Sequence, residues 1–433
     1  MPRIYALNMD PMNSSALLLR EEPLQIRYKD RSVTINSKVY LDLALANSLV
    51  IEPQESLLEL CGFDSPEESF FVTFHDSQEA TECYTTGSNL RIGGEQSGHF
   101  FRLSPYHSNV VLQSGGPLVR IEAGVLNFEF YFLTAKPDGQ SFELRDDNWV
   151  FAFIAVDDQS HLYPPQIQTE EYAFTHHLTV QRADGAAFSS EEAQRQLTLL
   201  SDFLTFCRGY WVSTALTTGF RADGVVAMEE IGTRRVSPKK VSYNWLDFHH
   251  GESMVELFPR FIERMKDTSW QEALRLALYW YVRADTNLVG PDGGCFLLQA
   301  ALERLAWHVL VRDRQSLSED GFSRLPAADQ LRLLLSALSV PLAIPDGLSE
   351  LQRIGKMLNW NDGPQAFVGV RNRLVHPPKP NRVEIKLPYF EAYTLGKWYV
   401  EMILLSACGY TGKYSNRTKI RRRVGEVEDV PWV

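Results

Sequence analysis

The sequence predicts an α+β protein in which a β-rich N-terminal region, a sandwich or barrel with a packed helix, precedes an all-α helical bundle. From about Leu24 to Val156, short apolar stretches alternate with turn residues, as in sheets of short strands. After about His250 the strand signals vanish and apolar residues recur at the helical period of 3.6. A chain of 433 residues with 44% hydrophobic residues can bury such a core and predicts two or three domains.

The N-terminal region is predicted to span residues 1–245, and a division near 160–185 would separate it into two lobes. Ser189 and Ser190, followed by two glutamates, predict a helix start, and Gly209 predicts its end. The predicted strands include Leu24–Tyr28, Phe70–Phe74, Leu126–Leu133, Trp149–Val156, Trp211–Thr217 and Gly224–Ile231.

The helical bundle is predicted to span residues 250–410, after the basic, proline-containing segment Thr233–Lys240. Gly and Pro punctuation separates seven predicted helices, near residues 252–266, 270–286, 293–312, 325–338, 348–358, 364–376 and 388–408. The C-terminal tail, residues 411–433, is basic and then acidic, and we expect it to be only partly ordered.

Charge is distributed unevenly along the chain, whose net charge is −11. Residues 1–250 hold 19 Lys and Arg against 33 Asp and Glu, a net −14, while residues 251–433 hold 24 against 21, a net +3. Within residues 371–423 the count is 12 against 3, a net +9. The acidic half and the basic end are therefore expected to have different partners.

Several classes of protein and site are not indicated. No apolar run approaches the roughly 20 residues of a membrane span, and no secretory signal is evident, so we expect a cytoplasmic protein with no membrane partner. Five scattered cysteines favour neither disulfides nor a thiolate zinc site. The doublets His176-His177 and His249-His250 lack further ligands at metal-binding spacing. We therefore predict no metal and no cofactor.

One segment combines the residues of a metal-independent phosphodiester chemistry: Arg371, Asn372 and His376 at the end of an apolar helix. Because Pro377 disfavours helical geometry in the residue before it, His376 is expected at the helix terminus. Asn372 and His376 share a helix face, but Arg371 lies about 140° round from His376 in an ideal helix. A joint site thus needs the last turn to unwind or a second subunit to contribute.

These three side chains predict RNA cleavage without a metal. An imidazole can move the 2′-hydroxyl or leaving-group proton, and a guanidinium can hold the scissile phosphate. Asn372 would orient the imidazole or hydrogen-bond the phosphate. The structural alternative is a surface helix end at which a cationic side chain interacts with the helix dipole.

The R-N-x-x-x-H pattern of Arg371, Asn372 and His376, late in a helical bundle, resembles the motif of HEPN domains. The resemblance covers about Trp270 to Cys408. It implies a homodimer in which two motifs face each other in a composite ribonuclease site.

A β-rich region before such a domain also resembles the ApeA-like abortive-infection proteins. The segments that carry this likeness are Phe203–Val212, Tyr281–Asp285 and Ala300–Leu305. The likeness implies an N-terminal region that senses a trigger or ligand, whose identity it does not provide.

Basic residues around the motif are predicted to contact the RNA backbone. A solvated tail is the alternative for the basic run that begins at Arg417. The predicted RNA-binding residues are Arg373, Lys379, Arg417, Lys419, Arg421, Arg422 and Arg423.

The sequence thus predicts a HEPN endoribonuclease acting in bacterial anti-phage defence, with His376 as proton-transfer group and Arg371 as phosphate clamp. The expected partners are RNA, a second copy of the chain and an unknown trigger. The alternative is a catalytically inactive HEPN scaffold that binds RNA or a protein partner. A third hypothesis, a carbohydrate- or peptide-binding sandwich with a structural helical tail, leaves the motif and the charge asymmetry unexplained.

Overall fold

A computed structural model gives the fold of the chain. The structure describes residues 16–42, 48–61, 69–75, 77, 79–91, 98–106, 109–113, 115–128, 141–156, 172–238, 243–284, 289–376, 385–419 and 422–433. These residues form a globular α+β fold, β-rich in the N-terminal half and helical in the C-terminal half, which confirms the predicted fold class.

The first six strands form a closed antiparallel barrel in the order β1-β2-β3-β6-β5-β4. Alternating residues of β2 are buried, so one face of the strand lines the barrel core and the other faces outward. A short helix, α1 (Leu58–Cys61), packs near β1 and β2. The strands are β1 (Ala16–Tyr28), β2 (Arg31–Asp42), β3 (Ser48–Pro53), β4 (Phe70–Thr73), β5 (Thr81–Arg91) and β6 (Gly98–Pro105).

Seven further strands form an antiparallel sheet in the order β7-β13-β12-β8-β11-β10-β9. Val110 and Leu112 of β7 and Ile231 of the adjacent strand β13 also pack into the barrel core, so barrel and sheet adjoin there. The strands are β7 (Asn109–Gln113), β8 (Arg120–Leu126), β9 (Ser141–Arg145), β10 (Trp149–Ala155), β11 (Phe174–Arg182), β12 (Ser213–Phe220) and β13 (Val226–Thr233).

The predicted strand Leu126–Leu133 differs from the observed strand in where it ends. Leu126–Leu133 was expected to be continuous, but β8 ends at Leu126, because Asn127 adopts a left-handed φ of 57°. The side-chain Nδ2 of Asn127 donates to the Ser237 carbonyl, and its Oδ1 accepts from the backbone amide of Ala173, which stabilises this turn. Residues 129–133 lie outside the described residues.

The predicted helix after Ser189 is confirmed as α2 (Ser190–Arg208). Ser189 accepts from the Glu192 amide while the Glu192 carboxylate accepts from the Ser189 amide, a complete capping box. Gly209 ends the helix at a φ of 70°, a conformation that glycine adopts without strain. The buried face of α2 packs between the sheet and the C-terminal helices.

The C-terminal half is helical, and the seven predicted helices correspond to observed ones within a few residues. The predicted helix near 293–312 ends in a π-helical turn, His308–Asp313, and an additional short helix follows it. The observed helices are α3 (Glu252–Lys266), α4 (Thr268–Ala284), α5 (Gly290–Trp307), α6 (Glu319–Ser323), α7 (Ala327–Ala337), α8 (Ser349–Leu358), α9 (Gly363–Val375) and α10 (Tyr389–Ala407).

A single apolar core joins the sheet, α2 and the helical half. Trp245 lies in the segment between them, stacks on Phe206 of α2 and meets the edge of Tyr410. The segment Gly290–Asp313 is long and apolar enough for a membrane span by length and composition, but 61% of its most apolar window is buried in the fold. Burial of this kind is typical of the central helix of a folded domain.

The described residues of the tail, 411–419 and 422–433, are folded, contrary to the expected partial order. Its strand β14 (Lys413–Tyr414) pairs with β15 (Glu428–Asp429), and Tyr414 and Val430 are buried in the core. The acidic end folds back on the basic part, and Lys419 Nζ lies 2.6 Å from a Glu428 carboxylate oxygen. The segregation of charge along the tail is thus partly neutralised in three dimensions.

Candidate functional site

Helix α9 carries the predicted catalytic residues and is held firmly at its N-terminus. Asp362 caps the helix by accepting from the Gln365 amide, and Arg332 of α7 bonds the same carboxylate. Gly369 provides the room for the Trp360 indole, because an added Cβ would lie 2.5 Å from the ring. The apolar face of α9 is buried, so its polar last turn is left at the surface.

His376 lies just beyond the last helical residue, as proline at 377 predicts. Its backbone is extended, with φ −103° and ψ 124°, while its amide still donates to the Asn372 carbonyl. The 140° separation of an ideal helix therefore does not apply to the His376 side chain. The residue is exposed, and no hydrogen bond or ion pair links its ring to another described residue.

Arg371 and Asn372 form a pair on the last turn of α9. Arg371 Nη1 donates to Asn372 Oδ1 at 3.1 Å, and the guanidinium carbon lies 5.7 Å from the centre of the Phe296 ring on α5. Arg371 Nε is buried and has no acceptor among the described residues. A buried N–H of a cation without an acceptor is unfavourable, so this group favours an anionic acceptor nearby.

The predicted RNA-binding residues that the structure describes differ in exposure and in their partners. Arg417 is a correction: its side chain is 9% exposed and forms an ion pair with the fully buried Glu401, so it is not available to RNA. Burial alone would lower the pKa of Arg417, but the Glu401 charge holds it above its usual value. Nothing in the local sequence distinguishes this arginine from its basic neighbours.

The other members of that set differ in their surroundings. Arg422 is partly buried and donates to the Asn244 carbonyl, and burial lowers its pKa. Lys419 is paired with Glu428, whereas Arg423 is exposed and Arg373 is half-buried. Lys379 and Arg421 lie outside the described residues.

In the described part of the chain, the arrangement of side chains supports neither a metal site nor a reactive thiol. No group of three His, Cys, Asp or Glu residues that could hold a metal occurs there. His176 is enclosed by the rings of Phe128, Phe142 and Phe153, and burial lowers its pKa to about 3. Burial raises the pKa of all five cysteine thiols: Cys61, Cys83, Cys207, Cys295 and Cys408.

Sequence reasoning missed a buried polar network at the centre of the helical half. Glu401 of α10 accepts from the Tyr281 hydroxyl of α4 and from Arg417, and Lys397 donates to the Tyr281 carbonyl. The Lys397 ammonium also lies 3.5 Å from the centre of the Tyr281 ring. Lys397 and Glu401, four residues apart inside a very apolar helix, were the available signal.

By its architecture the chain is an α+β protein, with a barrel, an antiparallel sheet and a helical region that carries the candidate site. Residues 114–242 match the family model of the YopA central domain, and residues 267–429 match that of the YopA C-terminal domain. The chain is 29% identical, over 262 residues, to the SPbeta prophage-derived uncharacterized protein YopA of Bacillus subtilis (strain 168). That alignment covers 60% of this chain and only 58% of the relative's length. No solved structure matches.

These matches correct the resemblance to HEPN domains and ApeA-like proteins, which is wrong. No HEPN or ApeA family is found, and the YopA C-terminal model covers the helical region that carries the motif. The physical reason is that three polar residues at a helix end are a local pattern, compatible with many helical folds. Arg371, Asn372 and His376 must therefore be judged by their own chemistry and surroundings.

Proposed function

We propose that the chain is a metal-independent endoribonuclease in which Arg371, Asn372 and His376 act on RNA. One observation carries the proposal. At the end of α9, His376 is exposed and its ring has no hydrogen bond or ion pair with another described residue. The hydrogen-bonded pair Arg371–Asn372 lies close to it in sequence. The proposal rests on this chemistry and not on membership in a ribonuclease family.

The reaction would be an internal transfer at phosphorus. The 2′-oxygen attacks the adjacent phosphorus, the bond to the 5′-oxygen breaks, and a 2′,3′-cyclic phosphate and a 5′-hydroxyl form. An imidazole accepts the 2′-hydroxyl proton or donates the proton that the 5′-oxygen takes up. Arg371 holds the charged phosphate oxygens, and its unpartnered Nε favours such an acceptor.

Two proton transfers on opposite sides of one phosphate are best served by two imidazoles, so we propose a homodimer through the helical region. Exposed apolar side chains near the motif support this contact: Phe390 is 68% exposed, Val375 is 45% exposed and Phe296 is 37% exposed. Mass measurement in solution over a wide concentration range tests the dimer. Only monomers at every concentration would contradict it.

We further propose a cytoplasmic role in phage–host conflict, with the acidic N-terminal region meeting the trigger. The prophage origin in the relative's name supports a phage-related setting. Production of the wild type in bacterial cells should then arrest growth and degrade RNA, whereas production of His376→Ala should do neither. Equal growth of both strains, with intact RNA, would contradict this role.

The decisive test is cleavage by purified protein. His376→Ala should abolish cleavage and leave RNA affinity within a few-fold, because it removes the proton-transfer group and none of the arginines and lysines proposed to hold phosphate. Cleavage should yield 2′,3′-cyclic phosphate ends. His249→Ala is the matched control, since it removes an exposed imidazole elsewhere and should retain activity. Full cleavage by His376→Ala would replace the proposal with a non-catalytic scaffold that binds RNA or a protein partner.

A further inference from the structure

The outer face of α4 presents a stripe of two cations and an aromatic ring. Arg275, Tyr279 and Arg283 follow one another at intervals of four residues, so they lie on one face of the helix. The Tyr279 ring is 37% exposed, and Arg283 is exposed as well. Because α4 buries its opposite face in the core, this stripe faces away from the bundle.

Two residues of the sheet region complete the surface. Trp211 precedes β12 and lies 6.2 Å from Tyr279 between ring centres. The guanidinium of Arg235, which follows β13, lies 4.2 Å from the centre of the Trp211 ring and 5.2 Å from that of Tyr279. Arg283 lies 5.7 Å from the same Tyr279 ring. Two arginines thus flank two partly exposed aromatic rings.

A groove of about 500 Å³ adjoins this surface and is lined by Trp211, Tyr279 and Arg275. Its two carboxylates are both engaged with arginines: Asp202 with Arg275 at 3.0 Å, and Glu272 with Arg304 at 3.2 Å. Arg275 and Arg304 therefore supply the counter-charges of these two carboxylates.

The electrostatics of Arg235 favour an anion. Partial burial lowers the pKa of Arg235, and the nearby charge of Arg283 lowers it further, while a hydrogen bond with Tyr279 opposes this. Two cations held near each other repel, and a phosphate between them would relieve that repulsion. Partly exposed rings beside such cations offer stacking faces for bases.

We propose that Trp211, Arg235, Tyr279 and Arg283 form a binding surface for single-stranded nucleic acid, with bases stacked on the two rings and the backbone held by the two arginines. The combination of stacking platforms and cations suits single strands, whose bases are free to stack. None of these four residues belongs to the motif on α9 or to the basic tail. The proposal rests on the proposed function only in the choice of RNA as probe.

Binding is measured with full-length protein carrying His376→Ala, by fluorescence anisotropy of a labelled single-stranded RNA of about 12 nucleotides. Tyr279→Ala should weaken binding about tenfold or more, whereas Tyr279→Phe, which keeps the ring, should bind within a few-fold of the parent. Arg235→Ala and Arg283→Ala should each weaken binding and lower the magnitude of the salt slope by about 0.7.

Matched controls separate this surface from general charge effects. Arg353→Ala removes an exposed arginine of α8 that pairs with Glu350, and it should leave affinity unchanged. Arg235→Lys keeps the charge but loses planar stacking, so it should bind more weakly than the parent. An RNA duplex should compete poorly, because its bases are already stacked.

Either of two results would contradict the proposed binding surface. In the first, Tyr279→Ala and Arg235→Ala both bind RNA with an affinity within twofold of the parent. In the second, Arg353→Ala weakens RNA binding as much as Arg235→Ala does. Unchanged thermal midpoints show that the variants fold. Because the readout is binding, it is independent of whether His376 is needed for cleavage.

Discussion

Arg417 Nε lies 2.9 Å from a Glu401 carboxylate oxygen, and a second guanidinium nitrogen bonds the other oxygen of the same carboxylate. The two side chains are 9% and 0% exposed, so this is a buried bidentate ion pair between the tail and α10. The same guanidinium also donates to the Tyr243 carbonyl, in the segment that joins the two halves. The pair therefore ties the tail both to the central helix and to that junction.

Removal of one partner should be costly. Arg417→Met leaves the Glu401 carboxylate buried without its counter-charge and should lower the free energy of unfolding by about 3–5 kcal/mol. The double variant Arg417→Met/Glu401→Gln should lose clearly less, since it removes both charges of the pair and leaves neither without its partner. Urea unfolding measures both, and Arg353→Ala, in an exposed pair, should change stability by less than about 1 kcal/mol. A loss at Arg417 no larger than that control would contradict the buried ion pair.

Gly363 should not tolerate a side chain. An added Cβ would lie 2.0 Å from the Tyr399 hydroxyl and 3.1 Å from the Leu342 carbonyl, so Gly363→Ala should cost about 1–3 kcal/mol by overpacking. The Tyr399 hydroxyl is buried without a described partner. Tyr399→Phe should therefore be close to neutral alone and should rescue part of the loss in the double variant. Thermal unfolding of the four proteins measures this, and an absence of rescue would count against the steric explanation.

The pH dependence of stability should reflect His176. Burial lowers its pKa in the folded protein to about 3, below the ordinary value of 6.5 that applies to the unfolded chain. Between these values the unfolded chain binds the extra proton, so stability is complete above pH 6.5 and falls as the pH drops from 6.5 towards 3. The loss attributable to His176 at pH 5 should be about 2 kcal/mol relative to neutral pH.

His176→Phe keeps a ring among the neighbouring phenylalanines and removes the titrating group, so its stability should depend less on pH over this interval. His249→Asn, at an exposed position, should behave as the parent. Urea midpoints at pH 7 and pH 5 measure the difference. A parent and a His176→Phe variant that lose equal stability would show that other groups dominate.

The proposed cleavage should persist in excess EDTA, because its chemistry needs only side chains of α9 and its C-terminus. Arg371→Ala, unlike His376→Ala, should reduce both cleavage and RNA affinity, since it removes a charge-assisted phosphate contact worth about 1.5–3 kcal/mol. Cleavage assays with and without EDTA, and binding titrations of both variants, measure these effects. Activity that disappears on chelation and returns with a divalent cation would exclude the proposed mechanism.

Much of the local structure follows from sequence patterns. The capping box at Ser189 and Glu192, the left-handed end at Gly209 and the helix stop at His376 depend on residues within a few positions of one another. Helical periods and strand alternation likewise report which face is buried, and they predicted the fold class. The strand predicted at Leu126–Leu133 extends too far, because hydrogen bonds from distant residues to Asn127 hold the turn that ends β8 at Leu126.

Local sequence patterns predict the α+β order of the chain, the bounds of the seven C-terminal helices within a few residues, and the helix end that carries Arg371, Asn372 and His376. Which cations are available follows from the three-dimensional packing, which buries Arg417 against Glu401 and places Arg235 against Trp211 and Tyr279. The physical reason is that propensity and capping act over a few residues, whereas desolvation, ion pairing and ring contacts depend on groups brought together from distant parts of the chain.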